Sequence, residues 1–264
     1  MANGANGKTP HMVIESIDLS FGGAKAITDI SFTVYEGEIC AVIGPNGAGK
    51  SSMLNVINGV YTPQQGSITY EGKKFAKMRP HSAAVMGIAR TFQNIALFSG
   101  MTTVENIMTG RNLMMKSTFI ENALGIGRSR REELRHREAV EEIIEFLGLQ
   151  AIRKIPVSSL SYGLQKRVEL GRALASEPKM LLLDEPIAGM NLDEKLDMAC
   201  FIQEINRNRG TTIVLIEHDM GVVMDISDHV IVMDYGKKIG DGTPEEIKNN
   251  QDVIDAYLGV SHGD

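Results

Sequence analysis

Ile39-Cys40-Ala41-Val42-Ile43-Gly44-Pro45-Asn46-Gly47-Ala48-Gly49-Lys50-Ser51 is the stretch whose reading decides the fold. Its first five residues are apolar without a break, as a strand covered on both faces requires. The next eight match G-x-x-x-x-G-K-[ST], and a helix-like segment follows. Glycines let the backbone curl until successive N–H groups face inward as an anion nest. The helix N-terminus adds its positive dipole end. Lys50 can then reach β- and γ-phosphates, and the Ser51 hydroxyl can ligate Mg²⁺. A chance match in a chain this long is about a one-in-a-hundred event. The context predicts a phosphate-binding loop.

Outward from this loop the pattern is α/β. Ile30, Phe32 and Val34 alternate with Ser31 and Thr33, a half-buried antiparallel strand. Apolar runs return at Met180–Leu183, Thr212–Ile216 and Val230–Met233, separated by helix-length segments. That alternation implies a mainly parallel sheet with helices on both faces. Between Asn94 and Ser159 helical signals dominate. Ser129 and Glu132 have capping-box spacing, Val140, Ile143, Ile144 and Leu147 share a helical face, and Gly148 is a stop. The expected organisation is one domain. A loose tail covers residues 1–11, the core spans 12–93 and 160–264, and a helical insert occupies 94–159.

Composition narrows the class. The 264 residues are 43% hydrophobic and 23% charged, with net charge −6 and two cysteines, Cys40 and Cys200. An acidic chain argues against general nucleic-acid binding. Two cysteines are too few for a disulfide framework and suit a reducing compartment. No stretch reaches the ~18 apolar residues of a membrane-spanning helix. A pore, a secreted scaffold and a coiled coil are excluded.

Later residues separate the possible phosphate-loop proteins. Met180-Leu181-Leu182-Leu183-Asp184-Glu185 is an apolar strand ending in two carboxylates. Asp184 can hold a Mg²⁺ shell, and Glu185 can polarise a water against the γ-phosphate. Leu160-Ser161-Tyr162-Gly163-Leu164-Gln165-Lys166-Arg167 then precedes a helix. This segment resembles the LSGGQ signature of ABC transporter ATP-binding subunits, with Tyr162 in place of a glycine and Leu164 in place of glutamine. Ser161 is by itself a good helix N-cap.

The resemblance runs from about Met12 to Gly259 and implies a P-loop NTPase core with an antiparallel β subdomain and a helical subdomain. It implies that ATP is held by Gly44, Pro45, Asn46, Gly47, Ala48, Gly49, Lys50, Ser51 and Ser52, with Phe21 stacking on adenine. It further implies that Ser161, Tyr162 and Gly163 face the ATP of the opposite subunit. Glu185, Gln93 and His218 would be the catalytic set, and Ser51, Gln93 and Asp184 would hold Mg²⁺. Asn191 stands where the family commonly has aspartate.

Gly87-Ile88-Ala89-Arg90-Thr91-Phe92-Gln93-Asn94, Leu215–Met220, Ala256-Tyr257-Leu258-Gly259 and the Met-rich stretch Gly110–Gly127 resemble the branched-chain (hydrophobic) amino-acid uptake subfamily. The lipopolysaccharide-export ATPase shares much of this core and is the alternative. A soluble non-transport ATPase would need coiled-coil arms or a second cassette, and a P-loop kinase would lack Ser161 and His218. Implied partners are an integral membrane permease, a second ATPase subunit of the same or a related chain, and indirectly an extracytoplasmic solute-binding protein. The implied place is the cytoplasmic face of a bacterial or archaeal inner membrane. Leu97, Phe98, Leu113, Met114, Met115, Phe119 and Ile120 would either meet the permease or fill the insert's own core.

Overall fold

The computed structural model describes residues 7–114 and 128–258. Two sheets dominate. One is antiparallel, in the order β2 (Ala24–Tyr35), β1 (Pro10–Phe21), β4 (Gln65–Tyr70), β5 (Lys73–Phe75). The other has the order β10 (Lys237–Gly242), β9 (His229–Asp234), β3 (Ile39–Ile43), β8 (Thr212–Ile216), β7 (Met180–Asp184), β6 (Ile88–Arg90). From β9 to β6 every pairing is parallel, and β10 returns antiparallel along β9.

The central strands read as unbroken apolar runs because both of their faces are covered. In β7, Met180 and Leu182 join one buried cluster while Leu181 and Leu183 join another. The expected helices on both faces become something more mixed. One face packs on α1 (Lys50–Ile57), α2 (Pro80–Val85) and the antiparallel sheet, so Met53, Leu54 and Ile57 share a cluster with Ile14, Phe32 and Ile68. The other face packs on α5 (Tyr162–Leu174) and α6 (Leu192–Arg209). Towards β9, α7 (Met220–Ile226), α8 (Pro244–Lys248) and α9 (Gln251–Leu258) complete it.

Among the described residues of 94–159 there is no strand. They form α3 (Thr103–Thr109), α4 (Arg128–Phe146) and single 3-10 turns, with one isolated bridge between Thr102 and Pro156. Val140, Ile143, Ile144 and Leu147 are all buried, and Gly148 takes φ 66° just after the helix. Ser129 lies inside α4, which already includes Arg128, so it is not the cap. The capping boxes fall instead at Thr102/Glu105, Asn191/Glu194 and Thr243/Glu246.

Two residues of the tail expected over 1–11, Pro10 and His11, belong to a strand. The strand β1 begins at Pro10, and His11 is buried with Nδ1 2.6 Å from the Thr212 hydroxyl. Its side chain finds a partner 201 positions away, which no local pattern announces. A second long-range tie closes the far edge of the sheet. His229 bridges Glu38 (3.3 Å) and Asp241 (2.7 Å). Burial opposes the charged ring, but the bonds to Asp241, Cys40 and Glu38 win and push its pKa up to about 12. No described helix is long and apolar enough to cross a membrane.

Candidate functional site

The phosphate loop connects the end of β3 to α1, and its shape needs glycine at two positions. Gly44 has φ 145°, and a Cβ there would lie 1.9 Å from the Met233 carbonyl oxygen. Gly49 has φ 95°, and its Cβ would lie 2.5 Å from the Ala26 oxygen. The loop is thus wedged between β9 and β2, where only bare backbone fits. No side chain caps α1 at Gly49 and its first turn carries no acid, which leaves its N–H end open to an anion. Lys50 folds into the loop, donating to the carbonyls of Gly44 (2.7 Å) and Pro45 (2.9 Å). Burial lowers its pKa, against the pull of Glu185 and Asp184, so it is a desolvated cation beside two carboxylates. Ala48 is buried, Pro45 and Ser52 are half-buried, and Asn46, Gly47 and Ser51 are exposed.

Strand topology brings the two acids to this loop. Asp184 ends β7 and faces Ile216 across the ladder, and the Glu185 N–H donates to the Ile216 carbonyl at 3.0 Å. Glu185 sits at φ 50°, a sharp turn off the strand tip. Gln93 Nε2 donates to Glu185 Oε2 at 3.0 Å, so these two residues meet although 92 positions separate them. His218 lies two residues beyond Ile216, its side chain 61% exposed and in ion-pair range of Glu217 only at 3.9 Å. The fold therefore brings Gln93 to Glu185, while His218 makes its contacts with Glu217.

Asp184 is held by a residue the sequence analysis assigned no role. Arg90 Nη2 lies 2.8 Å from Asp184 Oδ2, and Nη1 donates to Asn55 at 2.6 Å. The other oxygen, Asp184 Oδ1, is buried with no hydrogen-bond partner. An orphaned carboxylate oxygen, a serine hydroxyl and a glutamine amide make a hard, all-oxygen donor set, which fits Mg²⁺. Glu217 is a further unassigned residue, accepting the N–H groups of Ile187 (2.9 Å) and His218 (3.2 Å). Burial raises its pKa against those two bonds.

Phe21 ends β1 at the Gly22-Gly23 turn, 46% exposed and edge-on to Tyr61 at 4.9 Å, so it is not a core residue. Ser161 is the N-cap of α5, accepting from the Leu164 N–H at 3.4 Å. Leu164 packs into the apolar cluster beneath that helix, which accounts for a leucine there. Tyr162 is exposed and covers Gly189, whose Cβ would lie 3.1 Å from its ring. Gly163 faces Glu194 so closely that a Cβ would sit 2.3 Å from Oε1. The Asn191 side-chain oxygen is engaged within the chain, as the cap of α6 at 3.0 Å. Met115, Phe119, Ile120 and Gly259 lie outside the described residues.

A glycine-shaped loop at a strand–helix junction, its buried lysine and the strand-tip acids Asp184 and Glu185 are the parts of a nucleotide-binding cassette. A profile of the ABC transporter family matches residues 27–188, and the chain belongs to that family as an ATP-binding cassette ATPase. A second profile, of the branched-chain amino acid ATP-binding cassette transporter, matches residues 237–263. The high-affinity branched-chain amino acid transport ATP-binding protein BraF of Pseudomonas aeruginosa is 37% identical over 250 residues, covering 95% of this chain and 98% of its own. LivG of Salmonella typhimurium, with the same description, is 38% identical at the same coverage. The lipopolysaccharide export system ATP-binding protein LptB of Haemophilus influenzae is 32% identical, over 94% and 97%. Among solved structures, a nucleotide-free ATP-binding cassette of an ABC transporter superposes with TM-score 0.81 at 32% identity, over 94% of this chain and 99% of that one. An ADP-bound cassette superposes with TM-score 0.82 at 31% identity, over 95% and 99%.

Proposed function

We propose that this ATPase drives the import of branched-chain amino acids or similar small organic solutes, paired with a second ATPase subunit beneath an integral membrane permease. The observation that carries the hydrolytic reading is the Gln93–Glu185 contact at 3.0 Å beside the buried, half-satisfied Asp184. The solute class rests on the match of residues 237–263 and on the names of BraF and LivG.

In this reading Gly44–Ser52 wrap the phosphates of ATP, Lys50 exchanges its loop carbonyls for β- and γ-oxygens, and Phe21 stacks on adenine. Ser51, Gln93 and Asp184 would hold Mg²⁺, which would neutralise charge developing on the phosphates. Glu185 orients and deprotonates the attacking water, and His218 swings in from its exposed position to the γ-phosphate. Ser161, Tyr162 and Gly163 offer a hydroxyl and helix-end N–H groups to the ATP of the opposite subunit. Residues 94–159 work as an insert on a core of 12–93 and 160–264. Its exposed Phe98, and its exposed Met101 at a cavity of about 470 Å³ that Val104, Met108 and Arg153 also line, suit a short amphipathic helix of the permease. The complex then lies on the cytoplasmic face of an inner membrane, fed by an extracytoplasmic solute-binding protein.

Replacing Glu185 by glutamine tests the site. ATP binding should persist and the dimer should stay closed, while hydrolysis falls by a factor of about 10² or more. Turnover within twofold of the parent would remove Glu185 from the mechanism. Uptake of leucine, isoleucine and valine by vesicles holding the co-purified permease tests the solute.

A further inference from the structure

Three side chains on one face of α5 reach back to the loop that carries Gln93. Lys166, Glu169 and Arg172 stand at i, i+3 and i+6 of the helix. Lys166 Nζ donates to the carbonyls of Phe92 (3.2 Å) and Gln93 (3.0 Å). Glu169 Oε1 accepts the N–H groups of Phe92 (3.3 Å) and Ala96 (3.4 Å), and Arg172 donates to the Ala96 carbonyl. Lys166 and Glu169 are only 3% and 1% exposed, so these are not surface contacts. Residues 92–97 have no regular secondary structure, so no helix or strand ladder satisfies their peptide groups. The helix supplies the partners.

The three charges also face one another, with Glu169 3.9 Å from both Lys166 and Arg172. Burial pushes the Lys166 pKa down and the Glu169 pKa up, each opposed by the other's charge. A buried ion pair by itself is a poor stabiliser, because apolar residues often replace it at no loss. What sets this one apart is that both charges are spent on loop backbone. Ser161 begins the same helix, and the loop's Gln93 holds Glu185.

We propose that Lys166 and Glu169 are positioning residues for ATP hydrolysis, locking the backbone of residues 92–96 to the signature helix so that the Gln93 amide meets Glu185 only while that helix is in place. The proposal rests on the reading of Gln93 and Glu185 as groups of the reacting site.

The test uses the full chain in three forms: Glu169→Ala, Glu169→Gln, and Lys166→Met combined with Glu169→Gln. Hydrogen exchange of the 92–96 amides reads the clamp, ADP titration reads the phosphate loop, and kcat and KM for ATP read the chemistry. In Glu169→Ala the Phe92 and Ala96 amides should exchange at least about fivefold faster, the factor carried by one ordinary hydrogen bond. ADP affinity and KM should stay within twofold, and kcat should fall at least about tenfold, since small misplacements near a reacting centre cost that much or more. Glu169→Gln keeps an acceptor oxygen and should regain most of the lost protection and kcat. The double variant leaves no buried charge unpaired by Lys166 and keeps the test open if Glu169→Ala fails to fold. It should lose kcat with the carbonyl contacts.

Unchanged exchange of the Phe92 and Ala96 amides in Glu169→Ala overturns the clamp, and where that variant does not fold, an undiminished kcat in the double variant overturns it. Parallel losses of ADP affinity, kcat and urea midpoint, with glutamine no better than alanine, reduce it to a structural role and overturn it too. Faster exchange with undiminished kcat overturns the link to hydrolysis while the clamp stands. Normal turnover of Glu185→Gln instead defeats the underlying reading of the site.

Discussion

Taking the guanidinium away from Asp184 isolates the energetics of the site. Arg90 and Asp184 have side chains only 6% and 3% exposed, with Nη2 and Oδ2 2.8 Å apart. Arg90→Met keeps the apolar stem and removes the charge, which leaves a carboxylate sealed away from water. At an effective dielectric of about 20 the lost attraction at this distance is roughly 6 kcal/mol. Relaxation and the desolvation cost of the arginine itself return part of it, so the net loss should be about 3–5 kcal/mol. Asp184→Asn on the same background removes the stranded charge. The double variant should therefore be more stable than Arg90→Met alone, with a coupling energy of about 2 kcal/mol or more. Equilibrium urea unfolding, followed by circular dichroism on all four proteins without nucleotide, measures the cycle. A loss below about 1 kcal/mol for Arg90→Met, or a double variant no better than the sum of the singles, would refute the buried-charge argument.

Two further outcomes follow from the geometry. Lys50→Ala should weaken ADP and ATP binding by at least about ten- to hundredfold, since each charge-assisted bond to a phosphate is worth roughly 1.5–3 kcal/mol; a Kd within twofold of the parent by direct titration would contradict its place in the loop. His11, buried against Tyr70, has its pKa lowered by burial and by Lys179, with Glu36 and Glu71 opposing. The folded chain keeps the ring neutral where the unfolded chain binds a proton. Stability is then fully present above about pH 6.5 and is lost as the pH falls below it, by up to about 1.4 kcal/mol per pH unit for one group. His11→Gln should flatten the fall in urea midpoint between pH 7.5 and 5.5, and an unchanged slope would count against this source.

Local chemistry made much of this protein legible in its sequence. Burial on two faces writes itself as the runs Ile39–Ile43, Met180–Leu183 and Thr212–Ile216, and all three lie in wholly buried strands. A phosphate loop needs its glycines and its lysine within eight consecutive positions, so Gly44–Ser51 could be read directly. Helical spacing likewise marked Val140, Ile143, Ile144 and Leu147 as one buried face. The short edge strand Ile88–Arg90 was not visible, because three residues carry too little periodicity.

Pairings across the fold belonged to tertiary structure alone. Arg90 finds Asp184 across 94 positions, Lys166 finds Gln93 across 73, and His11 finds Thr212 across 201. The reason Gly44 tolerates no side chain is the Met233 carbonyl, brought beside it by the parallel pairing of β3 with β9. Ser161 reads as a member of an ATP site and Asn191 as a replacement for the family's aspartate, and each also caps its own helix within the chain. Periodicity and spacing record what neighbouring residues must share, namely a face, a turn or a nest of N–H groups. Which distant carboxylate a buried cation satisfies leaves no such trace, because sheet order and helix packing set that distance.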